Sequence, residues 1–482
     1  MTRLANLPAQ VDLLIVGGGI TGAGIFREAA RAGVSVLLVD ARDFASGTSS
    51  WSSKLVHGGL RYLKSGDWRL TAESVRERQR LLREAPDLVE PLDFIMPLYR
   101  GIKPGMTTMR LGLWLYDRFS RGGTRSGARS AAESRADVAG LREQALSGAV
   151  HYQDARTDDC RLVWRLIAQG QRDGGLSFNY VRAEQLLSHN GRVVGVALQD
   201  QQAGDSRELS ARMVVDAGRV WAGGLKGAAT GAPNLRPLRG SHLVFPAQRL
   251  PLKQAVGWLH PRDRRPVFAY PWQGATLLGT TDLDHGDDLW NPRMQRVEAD
   301  YLLEALDWLL PHAGLTLADA VSTFAGVRPV VNDGQGDPSA ASRESALWAV
   351  PGYVGVTGGK LTTFRVTARQ ALAEVAKQLP RLRLAPESAP LFDGCAAEAS
   401  PGQAPDASLL AARAGEQVWH LDDLLLRRCR AGLALPQGGD ALIEPALAAL
   451  SAQLGWSAER AAQEAARYRD YWHRQHDPAA LA

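Results

Sequence analysis

The sequence predicts an α/β protein: a dinucleotide-binding unit, a second unit built on antiparallel strands, and a helical C-terminal region. Three observations carry this. An apolar run at residues 11–16 turns through Gly17, Gly19 and Gly22 into a helical stretch, and a second apolar run then ends on Asp40. Between about residues 237 and 282, apolar runs broken by Pro and Gly read as antiparallel strands. Beyond a Pro/Ala/Gly-rich stretch at 386–405, helical periodicity takes over.

The first unit reads strand, turn, helix, strand. Residues 13–16 are all apolar, as a strand buried on both faces requires. Gly17, Gly19 and Gly22 form G-x-G-x-x-G: a tight turn, close backbone approach to a pyrophosphate, and close packing of helix on strand. Ile20 and Thr21 open the helix, whose N-terminal N–H groups favour an anion. Asp40 stands about 20 residues on, where a carboxylate binds a ribose hydroxyl. A strand before, a helix after and the acid in place make this more than a glycine-rich loop.

Composition narrows the function. The chain has 482 residues, enough for two or three domains, with 45% hydrophobic and 22% charged residues, as in a globular protein. Lys+Arg number 56 against Asp+Glu 51, so nucleic acid is not an expected partner. Cys160, Cys395 and Cys429 are too few and too scattered for a disulfide framework or a zinc site, and a reducing cytoplasm is expected. No metal-ligand cluster stands out. No run reaches the roughly 18–20 apolar residues that span a bilayer, so membrane contact is expected to be peripheral.

Gly47-Thr48-Ser49-Ser50-Trp51-Ser52-Ser53-Lys54-Leu55-Val56-His57-Gly58-Gly59-Leu60-Arg61-Tyr62 gathers titratable side chains and paired glycines just beyond the cofactor turn. A polar surface loop before a helix cap is the plainer reading. The segment closely resembles, however, the signature of the FAD-dependent, quinone-linked glycerol-3-phosphate dehydrogenases. The resemblance implies a Rossmann-like FAD-binding domain interleaved with an antiparallel-sheet substrate domain, plus a C-terminal helical cap. It places Thr48, Ser49, Ser53, Lys54, Leu55, His57, Gly58 and Gly59 against the flavin, and Arg61 and Tyr62 at the substrate.

Further along, amphipathic spacing predicts a helix over 68–83, and an aromatic-rich one over 106–119 precedes a basic Gly/Ser/Arg loop at 118–135. That loop is read as solvated, with contact to anionic lipid as the alternative. Asp158 and Asp159 are read as helix caps rather than a catalytic carboxylate pair. Strands are expected over 176–182, 193–198 and 212–217. Gly218 follows the last, although the proline usual in the family is replaced in 216–221.

Arg239-Gly240-Ser241-His242 and Gly279-Thr280-Thr281-Asp282 resemble family segments at turns of the antiparallel sheet. His242 is the candidate base, a neutral imidazole being able to take a hydroxyl proton; an ordinary hydrogen-bonded histidine is the alternative. A helix is expected over 301–310. Two more blocks resemble the family: Ser322 to Pro329 with Ser342-Arg343-Glu344, and Gly352 to Arg365. In the latter, Gly358, Gly359, Lys360, Leu361 and Thr362 enter a helix expected over 361–378 and suit the flavin. Helices are expected over 409–426, 441–454 and 457–472.

The resemblance divides the chain into FAD-binding parts at 1–95, 151–236 and 321–384, substrate-domain parts at 96–150 and 237–320, and a linker and cap at 385–482. It implies oxidation of sn-glycerol 3-phosphate to dihydroxyacetone phosphate, with hydride passing to FAD and electrons to ubiquinone or menaquinone at the inner face of the cell membrane. Arg61, Arg328, Arg343 and Lys360 form the cationic set assigned to the substrate, with Arg328 and Lys360 also polarising the reacting oxygen. A planar guanidinium binds phosphate through two parallel hydrogen bonds. The alternative is an FAD-dependent oxidase or dehydrogenase of another hydroxy acid, polyol or amine; a flavin-binding sensor without turnover stands as a third reading. A homodimer is left open.

Overall fold

The fold was analysed in a computed structural model, which describes residues 3–59, 68–119, 126–221, 224–227, 231–331, 345–393 and 405–481. Two sheets organise it. In the first, the central strand Gln10–Val16 pairs in parallel with Val36–Val39 on one side and Ser206–Asp216 on the other. Leu176–Phe178 and Tyr353–Gly358 extend the parallel order outward. The helices Ile20–Arg31, Asp159–Arg172 and Phe364–Gln378 bury their apolar faces on this sheet in one core. Gly24 allows the first and third to touch: a Cβ there would lie 2.9 Å from the Phe364 ring.

Among the described residues, the second sheet has ten strands. Its centre is antiparallel: Leu235–Pro246 lies between Ala275–Gly279 and Ser322–Val331. Val89–Tyr99, Leu146–Thr157 and the short Leu55–Val56 form its other end. The chain therefore crosses to the second sheet earlier than residue 96: the divide expected at 95/96 falls within Val89–Tyr99, and Ser322–Val331 pairs wholly within the second sheet. The helix Arg296–Leu309 packs on one face of this sheet. The C-terminal helices, with Trp51, cover the other.

Several elements depart from the sequence expectation for local reasons. The helix expected from 301 starts at Arg296, because Gln295 and Glu298 form a capping box. Gly358 and Gly359 have φ of +71° and +78°, so residues 360–363 form a turn and the helix begins at Phe364 instead of 361. Tyr180, at φ +55°, splits the expected 176–182 strand into Leu176–Phe178 and Val181–His189. The helix expected over 409–426 stops at Ala414, before Gly415. A π-helical segment, Asp423–Arg428, then places two arginines, Arg427 and Arg428, on Asp43 just beyond a strand of the first sheet.

Candidate active site

The glycine turn is built for close backbone approach. A Cβ on Gly22 would lie 1.8 Å from the Gly17 carbonyl oxygen, and one on Gly17 would lie 2.9 Å from that of Ala217. Gly218 thus sits against the turn, where its N–H donates to Asp216 Oδ1 at 2.9 Å. Asp40 accepts the Gly18 N–H at 2.7 Å and the Arg42 N–H at 2.9 Å. Burial nonetheless pushes its carboxyl up to about 6. The N-terminus of Ile20–Arg31 opens toward the segment 47–57, and Ser49 Oγ accepts the Ile20 N–H at 2.9 Å. A close-approach turn, a helix N-terminus and a carboxylate at the next strand end fit a dinucleotide.

From Ile20 a cavity runs toward the second sheet. Thr48, Ser49, Ser53, Leu55 and His57 line one wall. Gly359, Lys360, Leu361 and Thr362 line another, with Lys360 Nζ shielded from solvent. Thr362 Oγ1 donates to the His57 carbonyl at 3.3 Å and so ties these two walls together.

The third wall is one face of the second sheet. Side chains alternate along a strand, so Leu238, Gly240 and His242 share a face with their cross-strand partners Arg328, Gly326 and Phe324. The two glycines make the room: a Cβ on Gly240 would lie 2.5 Å from Arg328 Nη2, and one on Gly326 would lie 2.6 Å from the Trp51 carbonyl. Arg328 Nη2 donates to Asp282 Oδ1 at 3.1 Å and to the Thr281 carbonyl at 3.2 Å. His242 is 2% exposed and stacks on Phe324 with ring centroids 4.6 Å apart. Its Nε2 lies 3.0 Å from Ser53 Oγ. Burial, with Lys54 and Arg328 nearby, holds its pKa well below the usual histidine value, so the ring is neutral. A neutral imidazole and a guanidinium on one sheet face, opposite a dinucleotide turn, suit removal of a proton and a hydride from an anionic alcohol.

Comparison with known proteins agrees with this geometry. Residues 12–375 match the model of a family described as FAD dependent oxidoreductase. The aerobic glycerol-3-phosphate dehydrogenase of Bacillus subtilis (strain 168) is 36% identical over 390 residues, covering 80% of this chain and 69% of that protein. This chain belongs to the family of FAD-dependent glycerol-3-phosphate dehydrogenases. The protein of the same name from Staphylococcus haemolyticus (strain JCSC1435) is 34% identical over 378 residues, 77% of this chain and 68% of its own length. In fold, the chain matches the glycerol-3-phosphate dehydrogenase from Bacillus halodurans complexed with FAD at a TM-score of 0.76 and 24% identity, covering 98% of this chain and 96% of the other.

Most residues expected from sequence at this family's flavin and substrate are gathered here, and some serve other ends. The Lys54 ammonium turns away from the cavity and lies fully buried, donating to the Ser50 carbonyl at 2.7 Å and to Asp159 at 3.2 Å. Gly58 gives its space to Tyr116, whose hydroxyl would lie 2.1 Å from an added Cβ, and its N–H donates to Asp154. Asp158 caps its helix through the N–H groups of Cys160 and Arg161. Arg61, Tyr62 and Arg343 lie outside the described residues. Sequence reading gave no role to Asp282, which holds Arg328, and read Asp159, which braces the 47–57 segment, only as a helix cap. The signal for Asp282 was its place in Gly279-Thr280-Thr281-Asp282, directly after a strand.

Proposed function

We propose that this chain oxidises sn-glycerol 3-phosphate at C2 to dihydroxyacetone phosphate and hands the electrons to ubiquinone or menaquinone. The observation that carries the reading is the sheet face presenting His242 and Arg328 to a cavity that begins at the dinucleotide turn. Gly17, Gly19, Gly22, Asp40 and Gly218 would hold the adenosine and pyrophosphate end of FAD, and residues 48–57 and 359–362 its ring system. When bound, FAD supplies the acceptor for the C2 hydride. Arg328, oriented by Asp282, binds the substrate phosphate together with Arg61 and Arg343. Lys360 polarises the C2 oxygen. His242, neutral and shielded from water, takes the C2 hydroxyl proton at Nε2, beside Ser53 Oγ.

Quinone reduction brings the protein to a membrane, and we place it at the inner face of the cell membrane by peripheral contact. Among the described residues no helix is long and apolar enough to cross one. The helix Met106–Phe119 exposes Leu111 at 60% and Trp114 at 54%, and the Arg118 guanidinium lies over the Trp114 ring at 5.1 Å. Apolar side chains beside arginine suit the headgroup region of an anionic bilayer. Co-sedimentation with anionic phospholipid vesicles tests this: Leu111→Ser/Trp114→Ser should release the protein, and unchanged co-sedimentation contradicts the assignment.

A further inference from the structure

The back of the 47–57 wall is held by charges, and one of them comes from the C-terminal region. Asp159, fully buried at the first turn of its helix, accepts the Ser52 N–H at 3.2 Å, the Ser52 hydroxyl at 2.6 Å and the Lys54 ammonium. Arg430 donates to the same carboxylate, and its Nε donates to Asp158 at 3.0 Å. Arg430 is itself 1% exposed and sits at φ +61°, a backbone conformation unusual for a residue with a side chain. Lys54, at φ +50°, is likewise left-handed. Between Ser52 and Lys54 stands Ser53. Its carbonyl accepts the Tyr270 hydroxyl, and its Oγ meets His242 Nε2.

We propose that Arg430 is a positioning residue: through Asp159 it fixes the Ser52–Lys54 backbone and hence the Ser53–His242 contact, making the C-terminal region part of the catalytic apparatus. This rests on the proposed glycerol phosphate oxidation. The physical case is the arrangement of charge. Two cations, Lys54 and Arg430, share the buried carboxylates of Asp158 and Asp159. With Arg430 removed, that balance is lost inside the protein and the carboxylate keeps the loop's donors and the Cys160 N–H of its own helix. A loop displaced by a fraction of an ångström is enough to misplace a base, since catalytic groups must be held close to productive geometry.

The test compares FAD-loaded Arg430→Met, Arg430→Lys, Asp159→Asn and Glu416→Gln with the parent enzyme. Glu416 pairs with Arg161 across the same inter-domain contact without touching Asp159, so its variant weakens docking alone. Two signals are read. One is the rate of anaerobic flavin reduction at saturating glycerol 3-phosphate, together with the apparent substrate Kd. The other, free of substrate, is the ¹⁵N-histidine resonance of His242, assigned by its loss in His242→Asn. Arg430→Met and Asp159→Asn should slow reduction on the order of tenfold or more, leave Kd within about twofold, and shift the His242 resonance. Arg430→Lys should recover part of both signals, and Glu416→Gln should keep the parent values.

Adding Ser53→Ala to Arg430→Met should slow reduction less than the product of the two single effects, because both act through one contact. An unmoved His242 resonance in Arg430→Met, or fully multiplicative rate losses, overturns the proposal. If Glu416→Gln reproduces every effect of Arg430→Met, docking alone is responsible and the proposal again fails. A parent enzyme that glycerol 3-phosphate does not reduce, with the His242 shifts as expected, removes the substrate reading and leaves the positioning role standing.

Discussion

Arg328 lies on the cavity side of its strand because residue alternation puts it there and because Gly240, across the ladder, leaves it space. Asp282 and the Thr281 carbonyl then fix the guanidinium. A hydrogen bond to a charged group contributes about 1.5–3 kcal/mol. Arg328→Ala should therefore raise the Kd for glycerol 3-phosphate on the order of 10–100-fold while FAD content stays at the parent level, measured by stopped-flow reduction over a substrate series.

Asp40 gives a prediction with a definite sign. Its folded-state carboxyl is raised to about 6, so apo protein holds a proton there that the unfolded chain releases near 4. The stabilisation from this protonation is present below the unfolded value and is lost as pH rises through 6. With Asp40 in the proposed place at the FAD ribose, cofactor binding should run the other way, because a carboxylate can accept from both ribose hydroxyls and a protonated carboxyl cannot do so as well. The affinity of apo protein for FAD should fall as pH drops from 7 to 5. A fluorescence titration reads this directly, and Asp40→Asn should flatten the dependence.

Among the elements, the strand–turn–helix at Gln10–Arg31 was the most legible in sequence, since glycines at close-approach points leave an unmistakable spacing. Gly22→Ala tests how tightly that element is built: the added methyl would lie 1.8 Å from a backbone oxygen and cannot be relieved by a rotamer change. The variant should purify without FAD or fail to fold, whereas yellow, fully loaded protein would contradict the geometry. Two of the misread helices share a cause. Residues 360–363 and 416–420 continue a helical side-chain pattern, yet positive φ at Gly358 and Gly359 and at Gln417 interrupts the helix, and propensity does not report a turn imposed by neighbouring packing. His242 was readable as a candidate from its motif. Its pairing with Arg328 became visible only with the strand register, which brings residues 86 apart in sequence onto one face.

Across the whole molecule, the C-terminal region is joined to the first sheet through buried charge as well as through apolar packing. Asp43, fully buried, accepts from Arg427 at 2.6 Å and from Arg428 at 2.8 Å. Arg427 and Arg428 stood out in sequence only as part of a family-like segment, and their pairing with Asp43 did not, because a buried ion-pair network has no local spacing. Removing one partner leaves the others buried and uncompensated, at a cost of about 3–5 kcal/mol. Asp43→Ala should lower the midpoint of chemical denaturation accordingly; a change below about 1 kcal/mol would mean that the arginines find other partners. Together with Arg430 at Asp159, this contact ties the helical C-terminal region to both the cofactor turn and the catalytic wall.

The central claim is that this site removes hydride from a phosphorylated alcohol, and anaerobic titration of the yellow protein tests it most directly. Glycerol 3-phosphate should bleach the flavin band stoichiometrically, while glycerol, glycine and lactate at the same concentrations should leave it intact. A flavin left oxidised by glycerol 3-phosphate, or bleached as well by a substrate without phosphate, would contradict the account.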